Sequence, residues 1–126
     1  MSGEAEVKIK QDLSVEIALL EDSYRQIVSG LSARDYDASA VASALKTFKD
    51  SLSRASAFTL TLYTLRGKQF NVSWDHLFTH LDYALATINS SSSLKQRDTV
   101  QIILSMSQTE FEQILSFFAT LKTSIK

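Results

Sequence analysis

The apolar positions of this chain recur at intervals of three and four. Leu13, Ile17, Leu20, Tyr24, Ile27 and Leu31 step by four, three, four, three and four, which lines one face of an amphipathic helix. Gly30 stands where a left-handed residue is expected to end that helix, and residues 1–6 are expected to fray. A second seam runs through Val41, Leu45, Phe48, Leu52 and Ala55. Asp35 or Asp37 is placed to cap its start by accepting hydrogen bonds from free amides. A third stripe, Trp74, Leu77, Leu81, Ala84 or Leu85, and Ile88, follows Ser73, an expected N-cap, and stops at the polar turn NSSSS, residues 89–93.

Two capping boxes suggest two further helices. Ser93 and Gln96 precede a short buried stretch with Leu94, Val100, Ile103 and Leu104. Ser107 and Glu110 precede Phe111, Ile114, Leu115, Phe118, Leu121 and Ile125, which have clean helical spacing. Leu45, Phe48, Leu115 and Phe118 are the expected core.

One stretch supports two readings. In FTLTLYTLRGKQFNVSW, residues 58–74, apolar residues alternate with threonine on either side of Arg66-Gly67-Lys68. A β-hairpin over 58–73 would use Gly67-Lys68 as a type II′ turn, and threonine favours strands over helices. Against it, the helical seam continues unbroken through Phe58, Leu62 and Leu65 to Gly67. A lone hairpin is also marginal without a third strand. The expected fold is therefore all-α, a compact bundle of four or five helices forming one domain over 1–126. The alternative is an α+β domain carrying the small hairpin.

Composition supports the helical reading. There is no proline and there are three glycines, whereas β-rich folds use both at their tight turns. The absence of cysteine excludes a disulfide scaffold, a thiolate zinc site and a cysteine nucleophile. Apolar runs reach only about four residues, against the roughly 20 of a membrane helix, and the charged start lacks the apolar core of a signal peptide. A cytoplasmic protein with no membrane contact is expected.

Charge is unevenly spread. Residues 1–37 carry eight acids and four bases, a net −4, while residues 38–74 carry five bases and one acid, a net +4. The five bases are Lys46, Lys49, Arg54, Arg66 and Lys68. Bases near Tyr63, Phe70 and Trp74 suit a nucleic-acid backbone or a single strand. The same block also suits docking on the acidic first third, within the chain or between copies.

The remaining candidates carry little chemistry. His76 and His80 share a helix face at a spacing that can chelate a metal, but no third ligand accompanies them, so no metal or cofactor is expected. Ser43 and Lys46 form an S-x-x-K without its companion motifs. No phosphate-binding or dinucleotide-binding glycine loop is present. Residues 94–118 pass for a helix-turn-helix, but the would-be recognition helix begins with acids, the reverse of what DNA readout needs.

The closing stretch TVQIILSMSQTEFEQILSFFATLKTSIK, residues 99–126, resembles the last strand and helix of COMM domains, which assemble as paired scaffold subunits. The likeness covers under a quarter of the chain, and the strands that precede it in that family have no room here, so it assigns no family. The expected function is a non-catalytic interaction or assembly module, either a self-associating chain or a small subunit bound to a protein partner. The alternative is a non-specific nucleic-acid-backbone binder using the five bases.

Overall fold

Residues 58–65 are helical, and the hairpin alternative is overturned. In the computed structural model, which describes residues 2–90 and 95–125, one helix, α2, runs Ala38–Leu65. The alternating threonines fit because three of their hydroxyls fold back onto the helix. Thr59, Thr61 and Thr64 donate to the carbonyls of Ala55, Ala57 and Leu60, each at 3.0 Å or less. A threonine bonded in this way lacks the free hydroxyl that would compete for backbone partners. Gly67 ends the helix with φ +69°. The Lys68 amide donates to Tyr63 O at 2.8 Å and the Gly67 amide to Thr64 O at 3.1 Å, the paired bonds of a Schellman motif. At the other end Asp37 caps the helix, its carboxylate accepting from the amides of Ser39 and Ala40.

The other helices are α1 (Ser2–Ser32), α3 (Asp75–Ser90), α4 (Gln96–Ser105) and α5 (Gln108–Ser124), and the described residues contain no strand. Residues 99–104, a strand in the COMM likeness, lie within α4. Residues 2–6, expected to fray, belong to α1, where Lys8–Asp12 and Glu6–Lys10 pair one turn apart. Ser93 and Leu94, part of the expected start of the fourth helix, lie outside the described residues. No helix among the described residues is long and apolar enough to cross a membrane.

The two long helices pack antiparallel, with Arg66 bonded to Glu6 and Arg54 to Glu16 along their length. The expected left-handed end of α1 at Gly30 is not formed: among the described residues only Gly67 has positive φ, and α1 continues to Ser32. Gly30 instead permits close approach. A Cβ built there would lie 2.7 Å from Val41 Cγ2. Gly30→Ala should therefore destabilise by about 1–3 kcal/mol despite alanine's better helix propensity, because overpacking outweighs it. Urea unfolding of Gly30→Ala alone and with Val41→Ala checks this, since the second change makes room and should recover part of the loss.

The shorter helices cover one side of this pair. Leu13, Ile17, Leu45, Phe48, Leu52, Leu77, Leu81 and Ile114 are fully buried, and Phe111 and Phe118 nearly so. Leu115, expected in the core, is only partly buried at its edge. Aromatic rings join the layers at both ends. Tyr24, Phe48 and Phe111 pack with centroids 5.3–6.3 Å apart. Tyr63, Phe70, Trp74, Phe117 and Phe118 form the second cluster.

Candidate interaction surface

The five bases of the 38–74 block do not converge. On α2, Lys46 points away from the core and Lys49 turns toward α3, where it pairs with Asp82. Arg54, eight residues after Lys46, turns to the opposite flank and donates to Glu16 of α1 at 2.7 Å. Arg66, at the far end, donates to Glu6 at 2.7 Å. Its hydrogen bond and charge, with help from Lys10, hold the Glu6 carboxyl below the ordinary carboxylate range. The bond to Glu16 in turn holds the Arg54 guanidinium more firmly protonated than usual. Among the described residues no ion pair involves Lys46 or Lys68. The aromatic residues near these bases are also engaged: Trp74 is buried, and Tyr63 and Phe70 pack into the ring cluster. Docking of basic middle on acidic first third thus occurs within the chain, through Arg54 and Arg66.

The polar residues singled out by motif close helix ends across the bundle. Ser73 does not cap α3; the helix begins at Asp75, with Trp74 O accepting from the Phe78 amide. The cap comes from α5. Glu110 Oε2 accepts from the Leu77 amide at 3.0 Å, so the expected Ser107–Glu110 capping box is not made. Ser107 holds the N-cap position of α5 but makes no cap bond with its side chain; its hydroxyl is hydrogen-bonded to His80 Nδ1. Ser107 is almost fully buried and His80 half-buried, so the serine hydroxyl lies inside the bundle. His76 is exposed, and no group of three or more potential metal ligands occurs among the described residues.

At the opposite end α4 closes the C-terminus of α1. Gln101 Nε2 donates to Leu31 O at 3.0 Å and Arg97 Nη1 to Ala33 O at 2.8 Å, satisfying carbonyls that a helix end leaves open. Arg97 also lies over the Tyr36 ring, 5.8 Å from its centroid. Tyr36 donates its hydroxyl to Gln96 Oε1 at 2.7 Å. Burial, reinforced by Asp37, raises the Tyr36 pKa above its ordinary 10, with Arg97 opposing. A folded-state pKa that is raised gives stability present below the unfolded value and lost as pH climbs through the folded one. The protein should therefore lose stability above about pH 10. In Tyr36→Phe that alkaline loss should shrink, at a cost near neutrality of about 1 kcal/mol for the missing bond. Denaturant midpoints measured at pH 7 and pH 11 read both effects.

What the helices leave outside is apolar. Tyr83, Ile102 and Met106 are 60%, 64% and 58% exposed. Each falls outside the buried stripes of α3 and α4, and that displacement is the mark they leave in the sequence. Gln96 Nε2 donates to Ile88 O at 3.2 Å, joining the start of α4 to the end of α3, while His80 with Ser107 and Glu110 with the Leu77 amide tie the start of α5 to the start of α3, so α4 runs back antiparallel to α3. With Ile88 opposite Gln96, antiparallel packing sets Tyr83 level with Ile102 along the pair, and Thr79 level with Met106 at the end of α4. On the other flank of α4, a groove of about 190 Å³ opens toward α1 over Ile27, Leu31, Leu104 and Phe111. Lys49, Arg54, Arg66, Ser107, Glu110 and His80 thus bond within the chain, Lys46, Lys68 and His76 stay exposed, and the exposed α3–α4 face is the surface that sequence motifs did not indicate. No protein family, curated protein or solved structure matches this chain.

Proposed function

We propose that the chain is a non-catalytic interaction module that docks a protein on the outer face of α3 and α4. The observation that carries this reading is that Tyr83 of α3, Ile102 of α4 and Met106, the residue that ends α4, are each more than half exposed on the outer side of these two packed helices. Neighbouring exposed apolar side chains mark interaction sites more often than isolated ones do. The structural use of His80, Ser107, Glu110 and Arg54 supports it, since these residues bond within the chain rather than toward a substrate.

The test is co-purification of the tagged full chain from its native source. Ile102→Asp with Met106→Asp should keep the helical circular dichroism and lose a stoichiometric partner, whereas Lys46→Gln with Lys68→Gln should retain it. Identical behaviour of the two variants overturns the reading. Nucleic-acid retention supplies the contrast. With Lys46 and Lys68 as the unpaired bases of the block, about two phosphate contacts give a salt slope no steeper than roughly −2. A slope of roughly −3 to −4 requires four or five contacts and would favour backbone binding instead.

A further inference from the structure

We infer that the groove between α1 and α4 is a binding site for a small neutral molecule, a single aromatic ring carrying one hydrogen-bond acceptor. It lies on the flank of α4 away from the docking face, and the inference stands apart from that reading.

The groove is a slot with closed ends. Its floor, Ile27, Leu31, Leu104 and Phe111, is buried, at 2–8% exposure. At one end Gln101 Nε2 donates to Leu31 O at 3.0 Å, and at the other Gln108 Nε2 donates to the Tyr24 hydroxyl oxygen at 3.4 Å. Positions 24 to 31 of one wall thus face 108 to 101 of the other. The bridges enclose seven residues, about 10 Å of helix.

These dimensions limit the occupant. A peptide helix is about 10–12 Å across with its side chains, at least as wide as the slot is long. The volume of about 190 Å³ suits one ring with a short substituent, since an apolar cavity of about 150 Å³ takes up benzene.

The lining sets the chemistry. None of the residues that line the slot carries a formal charge. The charged residues beyond its ends are already bonded or exposed. Arg97 donates to Ala33 O, Arg25 pairs with Asp22, Glu21 pairs with Lys122 and Glu112 accepts from Gln108, while Asp98 is exposed. A charged ligand would give up water for an apolar floor and gain no free partner along it.

Two rings favour an aromatic occupant. Tyr24 and Phe111 pack 5.3 Å apart, centroid to centroid, and a third ring gains from the separations of about 4.5–7 Å at which aromatic pairs attract. A rigid ring also loses less conformational freedom on binding than an alkyl chain does. The acceptor follows from Tyr24. Its oxygen takes the Gln108 amide, but its proton has no acceptor among the described residues. A carbonyl on the ligand supplies one.

The probe is acetophenone, titrated into the isotope-labelled full chain and followed by amide shifts. The shifts should saturate and centre on residues 24–32 and 101–111, with a dissociation constant of about 0.1–1 mM. Toluene, a ring without an acceptor, should bind about two- to tenfold more weakly, the worth of one hydrogen bond. Benzoate should show no saturable binding. Tyr24→Phe should leave toluene binding unchanged and abolish the preference for acetophenone. Val28→Trp places a bulky side chain at an exposed lining position. It should keep the helical circular dichroism and remove saturable binding of both probes. Ser105→Trp fills the slot from the opposite wall and serves if Val28→Trp loses its helical signal. Shifts that fail to saturate by about 10 mM, that spread over the whole chain, or that persist in the filled slot overturn the inference. So does equal binding of acetophenone and toluene by the wild-type chain.

Discussion

Phe118→Ala is expected to lower stability by about 3–5 kcal/mol, the range for deleting a buried phenyl ring. Phe118 is 1% exposed. Its ring lies 5.6 Å from Trp74 and 5.1 Å from Phe117, centroid to centroid. These contacts tie α5 to the start of α3, so truncation leaves a cavity bounded by side chains from both helices. Folded domains have only about 5–15 kcal/mol of stability in total, so the change removes a large share of it. Trp74 is the single tryptophan and touches the altered site. Its fluorescence in urea should therefore report both the lower midpoint and a changed native signal. A loss below about 1 kcal/mol would place the ring outside the core.

Thr61→Pro should be nearly as damaging for a different reason. Thr61 is exposed, so its side chain contributes little packing and the cost lies in the backbone. Proline in a helix interior removes an amide donor and clashes with the carbonyl one turn earlier, at about 3 kcal/mol or more. Thr61→Ala, at the same exposed position, should be nearly neutral. Gly67→Ala should cost about 1 kcal/mol, for forcing a Cβ into φ +69° at the helix end. Thermal unfolding of the three variants should rank proline far below the others. A mild effect at Thr61 would mean that the helix is absent there.

The fold was legible in the apolar spacing because that spacing reports which side of each helix loses water. Leu13 to Leu31 and Val41 to Leu65 contain nearly the whole α1–α2 seam. The Thr-rich stretch 58–65 read correctly only when the seam was weighed above strand propensity, since helical threonines can bond to the turn before them. The start of α1 rests on signals other than apolar spacing: Glu6–Lys10 and Lys8–Asp12, four apart, support a helix whose first turns contribute little to the core.

The polar partners were not legible. Glu110 has the spacing of a cap for its own helix, yet it caps Leu77, and Gln96 reaches Tyr36 across 60 residues of sequence. Periodicity fixes the phase of each helix but not which helix end lies within reach of a carboxylate or an amide. Gly30 shows the same limit. A glycine near a helix end matches both a left-handed stop and a close crossing, and only the position of Val41 distinguishes them.

The helix ends closed from elsewhere in the bundle bear on how the chain folds. The C-terminus of α1 is completed by residues 64 and 70 positions later, and the N-terminus of α3 by one 33 positions later. Closing such loops carries an entropic cost before any contact is made, so these caps are expected to form only as the helices they join come to pack. A chain shortened after Ser105 lacks Glu110, Phe111 and Phe118 and leaves the start of α3 uncapped. It should populate an expanded helical intermediate, with far-ultraviolet signal retained and fixed aromatic packing lost. The intact chain, in which α5 supplies both ring and cap, should unfold in one cooperative step.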